Sequence, residues 1–231
     1  MKELQMDSTK TSDLLNRISI GMEPSRTPLN LEEPSDYVNI LDGLVYYSPE
    51  DNGDDEREEI IGAFRMVYID ANSATENETS LFDVYDCDAE TLEFFESFVN
   101  LDDEEFTKEL TDFLESEFVY SGNNVLIIDR IGIRPEYRGN NLGLIVLRNL
   151  IQRFSKGVSV VAIKPAPFEF TTKHIKQNYI DWQRSETNKD SIEAIKLGKY
   201  YQKLGFTKIN NSAYLVLGTV KKLPKFSPAT Y

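Results

Sequence analysis

Residues Ile131-Gly-Ile-Arg-Pro-Glu-Tyr-Arg-Gly-Asn-Asn-Leu-Gly143 are the part of this chain best suited to hold an anion. They read as the end of a buried strand, a turn, and a glycine-bearing loop that opens directly into an apolar helix. The first amides of a helix have no intrahelical acceptor and sit at the positive end of its dipole, which favours phosphate or pyrophosphate. Gly139 and Gly143 carry no Cβ to keep a ligand off the main chain. Arg138 adds a fixed positive charge, and Asn140, Asn141 and Leu142 complete the loop. A glycine-containing strand-to-helix turn is also, quite often, only a turn.

A second segment gives the first its meaning. Lys199-Tyr-Tyr-Gln-Lys-Leu-Gly-Phe206 follows about sixty residues downstream. Together the two resemble the signature of the GNAT N-acetyltransferase superfamily, in which an Arg-x-x-Gly-x-Gly loop precedes a helix ending Tyr-x-Lys-Leu-Gly-Phe. The resemblance implies acetyl-CoA as co-substrate, with its pyrophosphate at Arg138, Gly139, Asn140, Asn141, Leu142 and Gly143. It implies main-chain contacts to the pantetheine arm from Ile131, Gly132 and Ile133, on a strand splayed from its neighbour. Tyr201 then aligns with the tyrosine beside the thioester sulfur, and Tyr200 is its rival if the helix is turned by one position. Asn141 stands where the family usually has glycine, and asparagine tolerates the unusual backbone angles of such a loop. The asparagine many members carry before the tyrosine is missing, with Ala194 and Leu197 in that region.

N-acetyl transfer needs a neutral amine, a polarised thioester carbonyl and a proton for the departing thiolate. Direct attack requires no nucleophilic cysteine. Asp129 alternates with Ile131 and Ile133, which predicts one shared face, and the family often has a carboxylate nearby. Asp129 is therefore the candidate base, with pairing to Arg130 or Arg134 as its other reading. The single histidine, His174, reads as a surface residue. One His and one Cys argue against a zinc site, and Ser48 stands where a calcium loop beginning there would need aspartate.

The elements that must position these groups follow from periodicity. Strands are predicted at residues 43–47, 60–69, 81–85, 125–133, 158–163, 206–209 and 213–220, and helices at 89–99, 102–118, 142–154 and 192–204. A short helix is expected at 13–18, and an acidic hairpin-like loop at 51–59. Asp88 and Asp102 suit helix N-termini, and Gly205 suits a C-cap. The fold class is α/β (mixed α+β): a GNAT-like central, mixed, splayed sheet flanked by helices, with an acidic N-terminal extension. Residues 1–35 read as a polar arm and 36–231 as a single domain, with the clear resemblance over 125–220. The segment 165–190, carrying Phe168, Phe170, Tyr179 and Trp182, is long for a loop and reads as a substrate wall or lid, or as an oligomer contact.

Charge divides the chain sharply. Through Tyr120 there are 7 Lys+Arg against 32 Asp+Glu; from Ser121 on there are 18 against 7. The basic part carries the proposed CoA motifs, and the acidic part suits a cationic acceptor or partner, or is simply solvated. A single cysteine, Cys87, excludes an intrachain disulfide. No apolar run approaches the roughly 20 residues of a membrane span, and the first residues lack a signal-peptide core. A cytoplasmic protein is expected, with neither membrane nor nucleic acid as partner and a homodimer left open. The expected activity is acetyl transfer from acetyl-CoA to a primary amine, small or on a protein. A non-catalytic CoA-binding or acidic protein-interaction module is the alternative.

Overall fold

The computed structural model describes residues 16–22, 31–48, 58–117, 122–139, 141–171, 181–184 and 192–226. Seven strands form one mixed sheet in the order β1-β2-β3-β4-β5-β9-β8. Its members are β1 (Ile18–Met22), β2 (Val38–Tyr47), β3 (Glu59–Ile69), β4 (Val125–Ile133), β5 (Val160–Ile163), β8 (Thr207–Lys208) and β9 (Leu215–Gly218). Every neighbouring pair is antiparallel except β4 with β5. A separate hairpin joins β6 (Phe168–Thr171) to β7 (Asp181–Arg184).

Helices cover both faces. Between β3 and β4 come α1 (Ala71–Glu76), α2 (Leu81–Tyr85), α3 (Ala89–Phe98) and α4 (Lys108–Ser116). Phe94, Phe95, Phe98, Leu110 and Leu114 from this group pack with Val125, Ile127, Val160 and Ala162 of the sheet. On the other face α5 (Leu142–Phe154) and the end of α6 (Ile192–Gln202) pack with Leu126, Ile128, Val161 and Ile163. Alternate residues of β4 and β5 thus serve opposite cores, so both strands read as continuous apolar runs. This is the mixed, helix-flanked sheet expected of a GNAT-like fold.

Three expectations need correction. Residues 81–85 are helical, not a strand. Ser80 accepts from the Asp83 amide, while the Glu104 carboxylate accepts from the Leu81 amide at 2.8 Å and the Phe82 amide at 3.2 Å. End groups supplied by the adjacent Ser80 and by Glu104, 23 and 22 residues from the amides it caps, override the local β propensity of Val84 and the aromatics. The helix expected from residue 102 begins instead at Lys108, with Asp102 outside it. Glu104 has φ +56°, and Thr107 donates its amide to the Phe98 carbonyl, so the chain turns before α4 starts. The helix expected at 13–18 lies partly outside the described residues, and Ile18 opens β1, which pairs with β2. His174, Tyr179 and most of the 51–59 loop also lie outside the described residues.

Candidate functional site

The site is built where β4 and β5 part. They pair from Val125↔Val160 to Ile128↔Ile163 and no further, while β4 runs on to Ile133 against β3. Two local features open this fork. On the β5 side Lys164 is followed by Pro165, which has no amide to donate, and the Lys164 carbonyl is taken by the Ala166 amide at 2.8 Å. On the β4 side the pairing skips from Ile128↔Met66 to Arg130↔Arg65, so Asp129 is the extra residue of a β-bulge. Beyond the bulge, Asp129, Arg130, Ile131, Gly132 and Ile133 turn one main-chain edge away from any β5 partner.

The bulge also corrects the predicted alternation. Ile131 and Ile133 pack with the α5 core, on the side of Ile128. Asp129 continues the opposite series of Val125 and Ile127 and faces α3. The shared face predicted for Asp129, Ile131 and Ile133 would require an unbroken pleat.

Asp129 is almost wholly enclosed, its side chain 5% exposed. Burial pushes its carboxyl up to about 6; Arg130 and Arg65 pull it down, and Glu90 and Asp88 push it up. Arg130 Nε comes within 3.1 Å of Asp129 Oδ2, but off the line of a hydrogen bond, so the pair is electrostatic only. Such a carboxyl can take a proton near neutral pH, as a general base must.

Beside it lies a cluster that periodicity alone did not reveal. Lys164, 8% exposed, places its ammonium on the carboxylates of Glu90, at 3.2 Å, and Glu93, both on α3. Tyr214 donates its hydroxyl to the Glu90 carbonyl at 2.8 Å, and Lys164 Nζ lies 5.8 Å from the centre of its ring. The available signal was a lysine ending a buried strand, beside two glutamates three apart on one helical face. Nearby, β6 runs against β4, where the Arg130 guanidinium lies 5.5 Å from the centre of the Phe168 ring. The start of the 165–190 segment thus walls this side of the fork.

The glycine loop sits on the other side. Pro135–Tyr137 form a single 3-10 turn, and α5 begins at Leu142 as its sequence predicts. Gly139 has φ +98°, and among the described residues no atom beyond its chain neighbours lies within 4 Å of where a Cβ would stand. Asn141 takes the left-handed conformation, φ +57°, and caps α5 without a side-chain bond. That conformation is open to asparagine as well as glycine. Arg138 is exposed and donates from Nε to the Ile133 carbonyl at 2.8 Å, tying the loop to the strand end. Asn140 lies outside the described residues. Gly143 faces Tyr200, whose hydroxyl accepts the Leu144 amide at 3.2 Å.

Tyr201 lies in the α5 core, 4% exposed, its ring tilted against Tyr200 and Phe206. Burial raises its phenol and Tyr200 adds to that, so it stays protonated at neutral pH. The structure therefore gathers Ile131, Ile133, Leu142 and Tyr201 in one packed layer. Asp129 is across the sheet from them, at the point where β4 and β5 stop pairing. Among the described residues no group of three or more His, Cys, Asp or Glu is placed to hold a metal. No described helix is long and apolar enough to cross a membrane.

No family model matches the chain, and no curated protein matches it by sequence. Among solved structures the chain is similar to a crystal structure of a tyrosine-to-phenylalanine mutant of KacT. The identity is 12%, with 78% of this chain and 71% of that chain covered, at a TM-score of 0.38. So slight a likeness decides nothing about activity, which must be argued from this chain's own residues.

Proposed function

We propose that the chain is an acetyl-CoA-dependent N-acetyltransferase that transfers the acetyl group directly to a primary amine. The observation that carries this reading is the fork: a parallel pair that parts at a bulge, with a glycine loop at one strand's end and a buried carboxyl at the parting. The loop fits a phosphorylated co-substrate through Gly139 and the Gly143 amide, since the Leu142 amide is taken by the Gly139 carbonyl at 3.1 Å and the Leu144 amide by the Tyr200 hydroxyl. Acetyl-CoA would supply the acetyl group as an activated thioester.

Each residue then has a distinct task. Gly139, Asn141, Gly143 and the exposed Arg138 would hold the diphosphate. The free edge from Ile131 to Ile133 would align the pantetheine arm and present an amide to the carbonyl oxygen as charge develops there. Asp129, titrating near 6, would accept the proton of the attacking ammonium. Tyr201, protonated and on the other side of the fork, would donate to the departing sulfur, a contribution typically of ~10²–10⁴-fold. Lys164 already shares the carboxylates of Glu90 and Glu93, so the charge that would favour a cationic amine on the α3 side is that of Asp129 and the surplus of the glutamates.

Isothermal titration with acetyl-CoA, CoA and ATP tests the co-substrate. Micromolar binding of acetyl-CoA unmatched by ATP supports the assignment, and absence of binding refutes it. Tyr201→Phe then tests the chemistry: turnover should fall at least ~100-fold with acetyl-CoA binding nearly unchanged. Tight binding with no turnover by the unmodified chain, across small amines and lysine peptides, would instead favour a non-catalytic CoA-binding module.

A further inference from the structure

Tyr200 does something that neither packing nor the proposed chemistry requires of it. Asn141 opens α5 without a side-chain cap, which leaves the amides of the first turn needing acceptors. The Leu144 amide finds one in the Tyr200 hydroxyl, on a different helix 56 residues along the chain. A Cβ on Gly143 would stand 3.2 Å from that hydroxyl and 3.5 Å from the ring, tighter than ordinary contact. Glycine at 143 is thus accounted for by the phenol that lies over it. Lys203, just past the end of α6, places its ammonium 5.6 Å from the centre of the same ring.

The start of α6 turns its isoleucines outward, while Leu197 and Tyr200 pack against the core. Ile192 and Ile195 are 72% and 52% exposed, and Ala194 and Tyr201 are its only buried residues. The Tyr201 ring is tilted against Tyr200 and Phe206. The adjacent Tyr200 bond is a directional tie between the tyrosine end of α6 and the first turn of α5, whose loop begins at the end of β4.

We infer that Tyr200 is a positioning residue for Tyr201: by accepting the Leu144 amide it sets where the neighbouring phenol stands relative to the forked strand. The inference rests on Tyr201 acting as the proton donor, as proposed above. Misplacing a reacting group by a fraction of an ångström is costly to turnover even when binding persists.

A double-mutant cycle between Tyr200→Phe and Tyr201→Phe decides it. Turnover of acetyl-CoA is followed by loss of thioester absorbance, with spermidine and a lysine-rich peptide offered together as acceptors. Tyr200→Phe, which keeps the ring and its packing, should lower kcat ~5–10-fold while KM for acetyl-CoA moves less than about twofold. In the Tyr201→Phe background the same change should cost nothing further. A merely structural role would give equal losses in both backgrounds, and that result, or no loss at all, overturns the inference while leaving the acetyltransferase reading intact. Unmodified chain that turns over no acetyl-CoA, or a Tyr201→Phe variant as active as it, removes the proton donor and the inference with it.

Discussion

Replacing Asp129 with Asn should make the protein more stable at neutral pH, although it removes a charged partner of Arg130. An ordinary aspartate titrates at 3.8, and this one is pushed up to about 6, chiefly by burial. The native state therefore holds the proton more tightly than the unfolded chain, and stability must fall as pH rises through that interval. Integrated over the difference, the ionised carboxylate costs about 3 kcal/mol above pH 7 and about half as much at pH 5. Asparagine has nearly the same shape and carries no charge to desolvate. It leaves Arg130 without its carboxylate, which returns about 1 kcal/mol, since that contact lacks hydrogen-bond geometry and Arg130 is partly exposed. The net gain expected is about 2 kcal/mol at pH 8, shrinking to well under 1 kcal/mol at pH 5. Urea unfolding of both proteins at the two pH values measures it directly. An Asp129→Asn protein that is less stable at pH 8, or whose gain does not change with pH, would show that the carboxylate is satisfied by its surroundings. The argument for a base held at a cost in stability would then collapse.

Two further outcomes follow from the same structure. Lys164→Met leaves Glu90 and Glu93 facing each other without their shared cation, and should destabilise by ~3 kcal/mol in chemical denaturation; adding Glu90→Gln and Glu93→Gln should recover most of it. Glu104→Ala strips the acceptor from the Leu81 and Phe82 amides at the start of α2 and should lower stability by about 1–2 kcal/mol. Burial alone would raise the Glu104 carboxyl, but those amides and the Ser80 hydroxyl hold it below its usual value. The stabilisation from Glu104 is therefore fully present above the usual carboxylate range and lost as pH falls through the lowered one, so the Ala variant should differ least in acid.

What the sequence announces and what it conceals divide along a physical line. The spans of β4 and α5 are legible to the residue, because a nine-residue strand rich in Val, Leu and Ile and a helix bounded by Asn141 and Ser155 owe little to the rest of the fold. Helix α2 is not, since two of its first amides are satisfied by Glu104, more than twenty residues away, and the local Ser80 cap is the one signal in its own sequence. The bulge at Asp129 is hidden for a related reason. A period-2 reading places Asp129 with Ile131, and only the register of β3 shows a residue without a partner. Tyr200 and Tyr201 can be told apart only once α6 is placed against α5. Local rules fix the elements here; the groups that would react are set by contacts between elements distant in the chain.

The same principle gives the charge division a spatial meaning. The acidic part of the chain supplies α1 to α4, which cover one face of the sheet, and the basic part supplies the glycine loop and α6 with Arg138 and Lys203 on the other. Strand β4 follows the first group and precedes the second, so the fork lies where the two potentials meet. A cationic amine would be drawn to the side holding Asp129, Glu90 and Glu93, and a phosphorylated co-substrate to the opposite side. Each would be repelled from the other's seat, which is a way to discriminate that needs no close fit. Lys164 and Tyr214 lie buried against carboxylates and main chain of that acidic face at the point where the strands part. The placement of that cluster, rather than the net charge, is what ties the acidic half to the fork.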